Sequence, residues 1–197
     1  KMNLQNQRVG VEPTQIRFLE TNLLSQAIKG LSFESAEEIF AGLRMVKSAG
    51  EVESMRAAVG IAQGALKAIL GEIRVGMSEE ELARRLVMSL LEHGSDPSLP
   101  FAPIVSSGEN SANPHASPSD RTLRAGDLLV IDWGAAVNGF YSDLTRTFAV
   151  GQVREQFHEI HRMTLQANQA GKAACKAGVA AGDVDRAARE VIEAGGY

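Results

Sequence analysis

The chain has 197 residues, 44% apolar and 22% charged, with a formal net charge of −4. That composition is ordinary for a soluble globular protein with room for one large domain, or a small one plus part of another. The acidic balance gives no support to a nucleic-acid partner or an anionic membrane surface, and no apolar run reaches the length of a membrane-spanning helix.

Residues 1–47 read as the end of a larger N-terminal domain. A strand at Arg8–Pro13 runs into a proline turn, Thr14 caps a helix over Gln15–Ala27, and Ser35–Lys47 is helical in part, with Ile39, Phe40, Leu43 and Val46 at helical spacing. This segment alone buries too little to be a domain. Ser48 and Glu51 form a capping box that opens a long helix to about Ile73, whose apolar stripe is Met55, Val59, Ala62, Leu66, Ile69 and Ile73. Ser78 and Glu81 form a second box, opening a helix to about Glu92 with Leu82, Leu86, Leu90 and Leu91 inward and Gly94 as its stop.

The pattern then changes. Phe101–Ser106 reads as a strand, and Ser107–Asp120 as a long loop without helical or strand period. Loops of that length inside a compact domain are usually functional or disordered. This one carries His115. After a turn at Arg124–Asp127, the stretch Asp127–Gly151 reads as two strands joined at Asn138-Gly139, the strongest short hairpin signal. A two-residue turn there sets Asp132 opposite Thr145 and Asp143 opposite Gly134. Side chains alternate with period two, so Asp132 and Asp143 share a face as diagonal neighbours, about 7–8 Å apart or less. The glycine leaves space beside them. Two carboxylates converging among apolar residues repel each other, and a divalent metal pair is the economical way to offset that repulsion. The alternative is two solvated aspartates on the wet face of an ordinary hairpin.

Beyond Gly151 a long helix is expected to about Lys176, then Gly178, and a helix capped by Asp183 to about Ala194. A shift of 102 residues carries Gly76 onto Gly178, Glu81 onto Asp183, Leu82 onto Val184, Leu90 onto Ile192 and Gly94 onto Gly196. The same order of long helix, Gly, capped helix, Gly points to an internal duplication. The second copy then lacks its sheet layer.

Other constellations are weaker. Glu155-x-x-His158 is one metal motif where a di-metal helix bundle needs two, so His158 and His161 read as residues of a solvated or packing face. Cys175, placed mid-helix, reads as a structural thiol. As the lone cysteine it cannot form an intrachain disulfide, which fits a reducing compartment. No signal peptide opens the sequence, so the cytoplasm is expected. No G-x-S-x-G elbow, G-x-G-x-x-G or P-loop pattern is present. The chain starts at Lys1 without Met and reads as an excerpt.

The run from Asn113 to Gly151, with Pro-His-Ala at His115, Asp132 in IDWG, Asp143 in SDLTRTF and an 11-residue separation of the two aspartates, resembles the catalytic half of the pita-bread metallopeptidases. That family includes Xaa-Pro aminopeptidases, Xaa-Pro dipeptidases (prolidases) and methionine aminopeptidases. The resemblance covers residues 48–197, while residues 1–47 are similar to the end of the N-terminal domain of Xaa-Pro peptidases and creatinases, which favours the Xaa-Pro branch. It implies an α+β fold built from a duplicated helix-helix-sheet unit, with a first repeat at 48–151 and a partial second at 152–197. It implies two divalent ions, Mn²⁺, Co²⁺ or Zn²⁺, with Asp143 bridging both and Asp132 binding one, and His115 as the substrate-side histidine. The family's metal His and two Glu are expected beyond Tyr197. A proline-containing peptide is the implied substrate, hydrolysed at the bond before proline, and a homodimer is left open. A metal-free creatinase-like C–N hydrolase, or a non-catalytic binding protein on the same fold, is the alternative.

Overall fold

The computed structural model describes residues 3–197. They divide into two units that meet at Glu53 and Ser54.

In the first unit, β1 (Arg8–Val11) pairs in parallel with β2 (Ser32–Ser35), and α1 (Phe18–Ala27) is the crossover between them. Parallel neighbours need such a connection, because a tight turn can only join antiparallel strands. A second helix, α2 (Glu37–Met45), follows, and Arg44 pairs with Glu12 at 2.7 Å. The expected helix from Gln15 starts three residues later, at Phe18, and β2 was not foreseen. Neither helix buries a residue fully, and Phe18, Ile39 and Val46 are exposed.

The long helix α3 (Ala49–Ile69) opens on the expected capping box: the Glu51 backbone N–H donates to Ser48 Oγ, and Glu51 Oε2 accepts from the Ser48 backbone N–H at 2.6 Å. A 3-10 turn, Leu70–Glu72, ends it. Its core face differs from the expected stripe. Met55 is exposed, and the buried line is Ala58, Ala62, Ala65, Leu66 and Ile69. The alanines let larger groups approach the helix backbone: Trp133 Nε1 donates to the Ala62 carbonyl at 2.8 Å, Ser142 Oγ to Ala58 at 3.2 Å, and Ser89 Oγ to Ala65 at 2.9 Å.

Helix α4 (Glu79–Glu92) buries Leu82, Leu86 and Leu90 as expected, but Leu91 is exposed and Ser89 takes the inward place. Only half of its capping box forms. Ser78 Oγ accepts from Glu81 N–H at 3.1 Å, while the Glu81 carboxylate pairs with Arg85 instead. Ser78 sits in a bridge opposite Thr122 whose hydrogen bonds are made by its neighbours, Glu79 N–H to the Arg121 carbonyl at 3.0 Å and Leu123 N–H to the Met77 carbonyl at 2.9 Å.

These helices pack under an antiparallel sheet of order β3-β4-β7, made of β3 (Ile104–Ser107), β4 (Leu128–Trp133) and β7 (Leu144–Ala149). The first strand begins at Ile104 rather than Phe101, because Pro103 has no N–H to give the ladder. Along β4, Leu129, Ile131 and Trp133 are buried against the helices, while Leu128, Val130 and Asp132 are half-buried on the other face. The alternation thus assigns one face of the sheet to the core and the other to the carboxylate.

After β7, α5 (Glu155–Ala174) packs on α6 (Ala181–Ala194). Asp183 is not the cap of α6. The helix starts after Ala180, and Asp183 lies in its first turn, where a negative charge meets the positive end of the helix dipole. Cys175 is not mid-helix but just past the end of α5, exposed. A shift of 102 residues carries α4 onto α6 end to end, and the flanking Gly76/Gly178 and Gly94/Gly196 pairs all have positive φ. The packing of the two helices differs: α4 buries five residues and α6 none.

A half-built carboxylate centre and its loop

The hairpin forms in the expected register. Asp132 faces Thr145, and β5 (Ala136–Val137) pairs with β6 (Phe140–Tyr141) across the turn. Asn138 and Gly139 have φ of 53° and 77°, the left-handed pair that a type I′ turn requires.

The two strands are not continuous. The ladder breaks where Gly134 and Ala135 face Ser142 and Asp143. Ser142 N–H donates to the Ala135 carbonyl at 2.9 Å, but Ala135 N–H donates to Ser142 Oγ, a side chain standing in for a backbone acceptor. The Ser142 carbonyl is turned toward Gly134, and a Cβ on Gly134 would lie 2.0 Å from it and 2.7 Å from Pro100. The space expected beside the glycine is therefore filled by backbone. Its effect is to release Asp143 from strict pairing, and its side chain stands exposed next to Asp132.

Asp132 and Asp143 are brought together. Burial raises the Asp132 carboxyl above its usual range, and the neighbouring Asp143 carboxylate adds to this, while the Thr145 hydroxyl, donating at 3.1 Å, opposes it. An acid held up in this way offers oxygen donors to a hard divalent cation, which would relieve the repulsion. The two residues fit such an ion but do not complete a site: among the described residues, no group of three or more His, Cys, Asp or Glu converges as metal ligands.

Beside Asp132 lies a cleft of about 250 Å³ lined by Ile104, Ser106, Val130, Thr145 and the loop residues Asn113 and Pro114. His115 is the next residue. Its side chain is exposed, and its backbone N–H donates to Asn113 Oδ1 at 3.0 Å. The structure thus brings Asn113 and Pro114 of the loop to the Asp132 cleft, while His115, the residue after them, is not among the residues that line it. His158 and His161 are exposed on α5 and line a separate cleft of about 340 Å³ over the same sheet face, with Val130 and Thr147.

The loop 107–120 is not structureless. It opens with a 3-10 helix, Gly108–Ala112, and is tied down by Glu79, a fully buried carboxylate. Glu79 accepts from Ser107 N and Oγ at 2.7 and 2.8 Å, from Ser119 N and Oγ at 3.1 and 2.7 Å, and from Asn110 Nδ2. Arg121 donates to Ser107 Oγ at 2.6 Å and makes two bonds to Asp127. Reading the sequence missed this cluster. Glu79 is one of three consecutive acids in a helix first turn, where solvent exposure is the default. The abundance of Ser and Asn in the loop is the one signal that a buried acceptor waits for them.

The chain belongs to metallopeptidase family M24, which matches residues 53–197. Within it the similarity is to the Xaa-Pro peptidases, and the α+β architecture is the pita-bread fold of those enzymes. The chain is 36% identical over 165 residues to the Xaa-Pro dipeptidase of Pyrococcus furiosus, covering 84% of this chain and 47% of that one. It superposes on the X-Pro aminopeptidase of Thermotoga maritima with a TM-score of 0.89 at 31% identity, over 97% of this chain and 54% of that one. For the Xaa-Pro dipeptidase of Bacillus anthracis the TM-score is 0.88 at 32% identity, over 97% and 53%. The chain spans about half the length of the relatives it matches. Among the described residues no helix is long and apolar enough to cross a membrane.

Proposed function

We propose that this chain supplies the first half of the active site of a divalent-metal-dependent peptidase that hydrolyses the peptide bond preceding proline. The observation that carries the reading is the pairing of Asp132 and Asp143 on the open face of the sheet, beside a cleft that Asn113 and Pro114 of the long loop border. The substrate class is supported by the Xaa-Pro peptidases to which the chain is similar. In this reading Asp132 and Asp143 would hold divalent metal, with the remaining ligands supplied by the rest of the protein. Such ions, when bound, supply Lewis acidity toward a carbonyl and acidify water. His115 donates a hydrogen bond or a proton on the substrate side, the work expected of an imidazole near neutral pH. The half-buried Val130 and Ile104 keep the cleft partly dry and strengthen these interactions. We place the protein in the cytoplasm on its lone cysteine.

The test is hydrolysis of Xaa-Pro peptides by the complete protein with Mn²⁺, Co²⁺ or Zn²⁺. Loss of an outer-shell partner of a metal site costs about 10–100-fold, so Asp143→Ala, which removes a ligand, should lower kcat/KM by more than about 100-fold. Absence of hydrolysis with every metal, or an unchanged rate in Asp143→Ala, overturns the assignment.

A further inference from the structure

Glu79 is fully buried and, among the described residues, forms no ion pair: its hydrogen-bond partners are the neutral donors of Ser107, Asn110 and Ser119, and Arg121 reaches it only through the shared Ser107 hydroxyl. A buried carboxylate is costly unless every lone pair is satisfied, and an apolar residue would fill the same volume without that cost. What an apolar residue could not do is join two distant points of the chain. One oxygen of Glu79 takes both donors of Ser107, where β3 ends. The other takes both donors of Ser119, where the loop rejoins the domain. Asn110 Nδ2 reaches both oxygens, at 3.2 and 3.1 Å, and so ties in the 3-10 turn. Everything between these points, including Asn113, Pro114 and His115, is a segment whose two ends close on a single side chain. Within that segment Ala112 to His115 are exposed and Ala116 is buried, and the local bonds there are from His115 N–H to Asn113 Oδ1, from Ala116 N–H to the Asn113 carbonyl and from Asn113 N–H to the Asn110 carbonyl.

We propose that Glu79 is the positioning residue of the His115 loop, holding the Asn113-Pro114-His115 segment against the Asp132 cleft by clamping Ser107, Asn110 and Ser119. The clamp stands on its own geometry; its kinetic consequence rests on the function proposed above. Backbone bonds from Glu79 N–H to the Arg121 carbonyl and from Glu80 N–H to the Ser119 carbonyl, both 3.0 Å, keep helix α4 docked when the side chain changes. The substitution Glu79→Gln therefore probes the clamp more than the fold. A Gln amide keeps one acceptor oxygen but turns an N–H₂ group toward the other serine's backbone N–H, donor against donor.

The experiment is amide hydrogen exchange on the 197-residue chain, native against Glu79→Gln. Peptides within 108–118 should exchange at least about 10-fold faster, while those from α3 and β4 keep native protection. Glu79→Asp, which keeps the charge but shortens the reach, should fall between the two. Native protection in the loop of Glu79→Gln, or a parallel loosening of α3 and β4, overturns the clamp. In the complete protein, Glu79→Gln should lower kcat about 10-fold with little change in KM. The Glu79→Gln/His115→Ala double variant should be no slower than His115→Ala alone, because the carboxylate acts through the histidine. Losses that multiply overturn that route of action. An inactive native protein overturns the peptidase reading, and hydrogen exchange alone then decides the clamp.

Discussion

At the residue scale, Gly134 does more than leave room beside two acids. Its missing Cβ is where the Ser142 carbonyl and Pro100 pack, and that close approach breaks the ladder and frees Asp143. Gly134→Ala puts a methyl group 2.0 Å from a backbone oxygen that no rotamer can move. We expect a loss of about 2 kcal/mol, the scale of overpacking, and a Tm lower by roughly 4–8 °C in thermal unfolding of the chain. An unchanged Tm would mean that the strands shift apart at little cost. Both aspartates, their shared face and their register were legible, because period-two alternation and an Asn-Gly turn leave little freedom. The role of Gly134 was not, since a glycine opposite an aspartate reads equally as vacant space or as a contact point.

At the element scale, α3 shows where periodicity falls short. Counting large apolar residues selects Met55 and Val59, yet the buried line runs through Ala58, Ala62 and Ala65. The reason lies on the partner elements: Trp133, Ser142 and Ser89 each reach a carbonyl of α3, and only a small side chain lets them come close. Ala62→Leu should therefore destabilise, although it adds apolar bulk and costs little helix propensity. Overpacking predicts about 1–3 kcal/mol, measured by urea unfolding, together with a change in Trp133 fluorescence as its bond to Ala62 is lost. A more stable variant would show that the helix can move away from Trp133 without penalty. The loop 107–120 teaches the same lesson from the other side. Its lack of period marks an irregular segment correctly, but order there comes from Glu79, 28 residues before Ser107.

At the scale of the whole molecule, two buried networks give the fold an acid limit. Burial pushes Glu79 up, but the hydrogen bonds from Ser119, Ser107 and Asn110 together outweigh it and hold the carboxyl below its usual range. The Arg121 guanidinium holds Asp127 down in the same way. A carboxylate whose folded pKa is depressed adds stability above its unfolded pKa and loses it as pH falls through the folded value. Stability should therefore be level near neutrality and drop as pH falls below about 4, where carboxylates of unfolded chains titrate. Asp132 runs the opposite way, since its raised pKa means that its ionisation costs stability and acid relieves that cost. Unfolding curves across pH check the balance: Asp127→Asn should flatten the acid limb, and an unchanged limb would exclude the Arg121 pair as its source.

Beyond the α+β class, which the family resemblance implied, the amino-acid order alone determined the helix–helix–hairpin succession, the strand register and the pairing of Asp132 with Asp143. All of these follow from local rules: alternation, capping and turn chemistry act between residues close along the chain. The buried acid that binds the His115 loop, the alanine line under Trp133 and the backbone wedge at Gly134 were decided only in three dimensions. Each depends on atoms remote in sequence arriving at one place, and a buried glutamate, an alanine or a glycine looks the same in sequence whether or not they do.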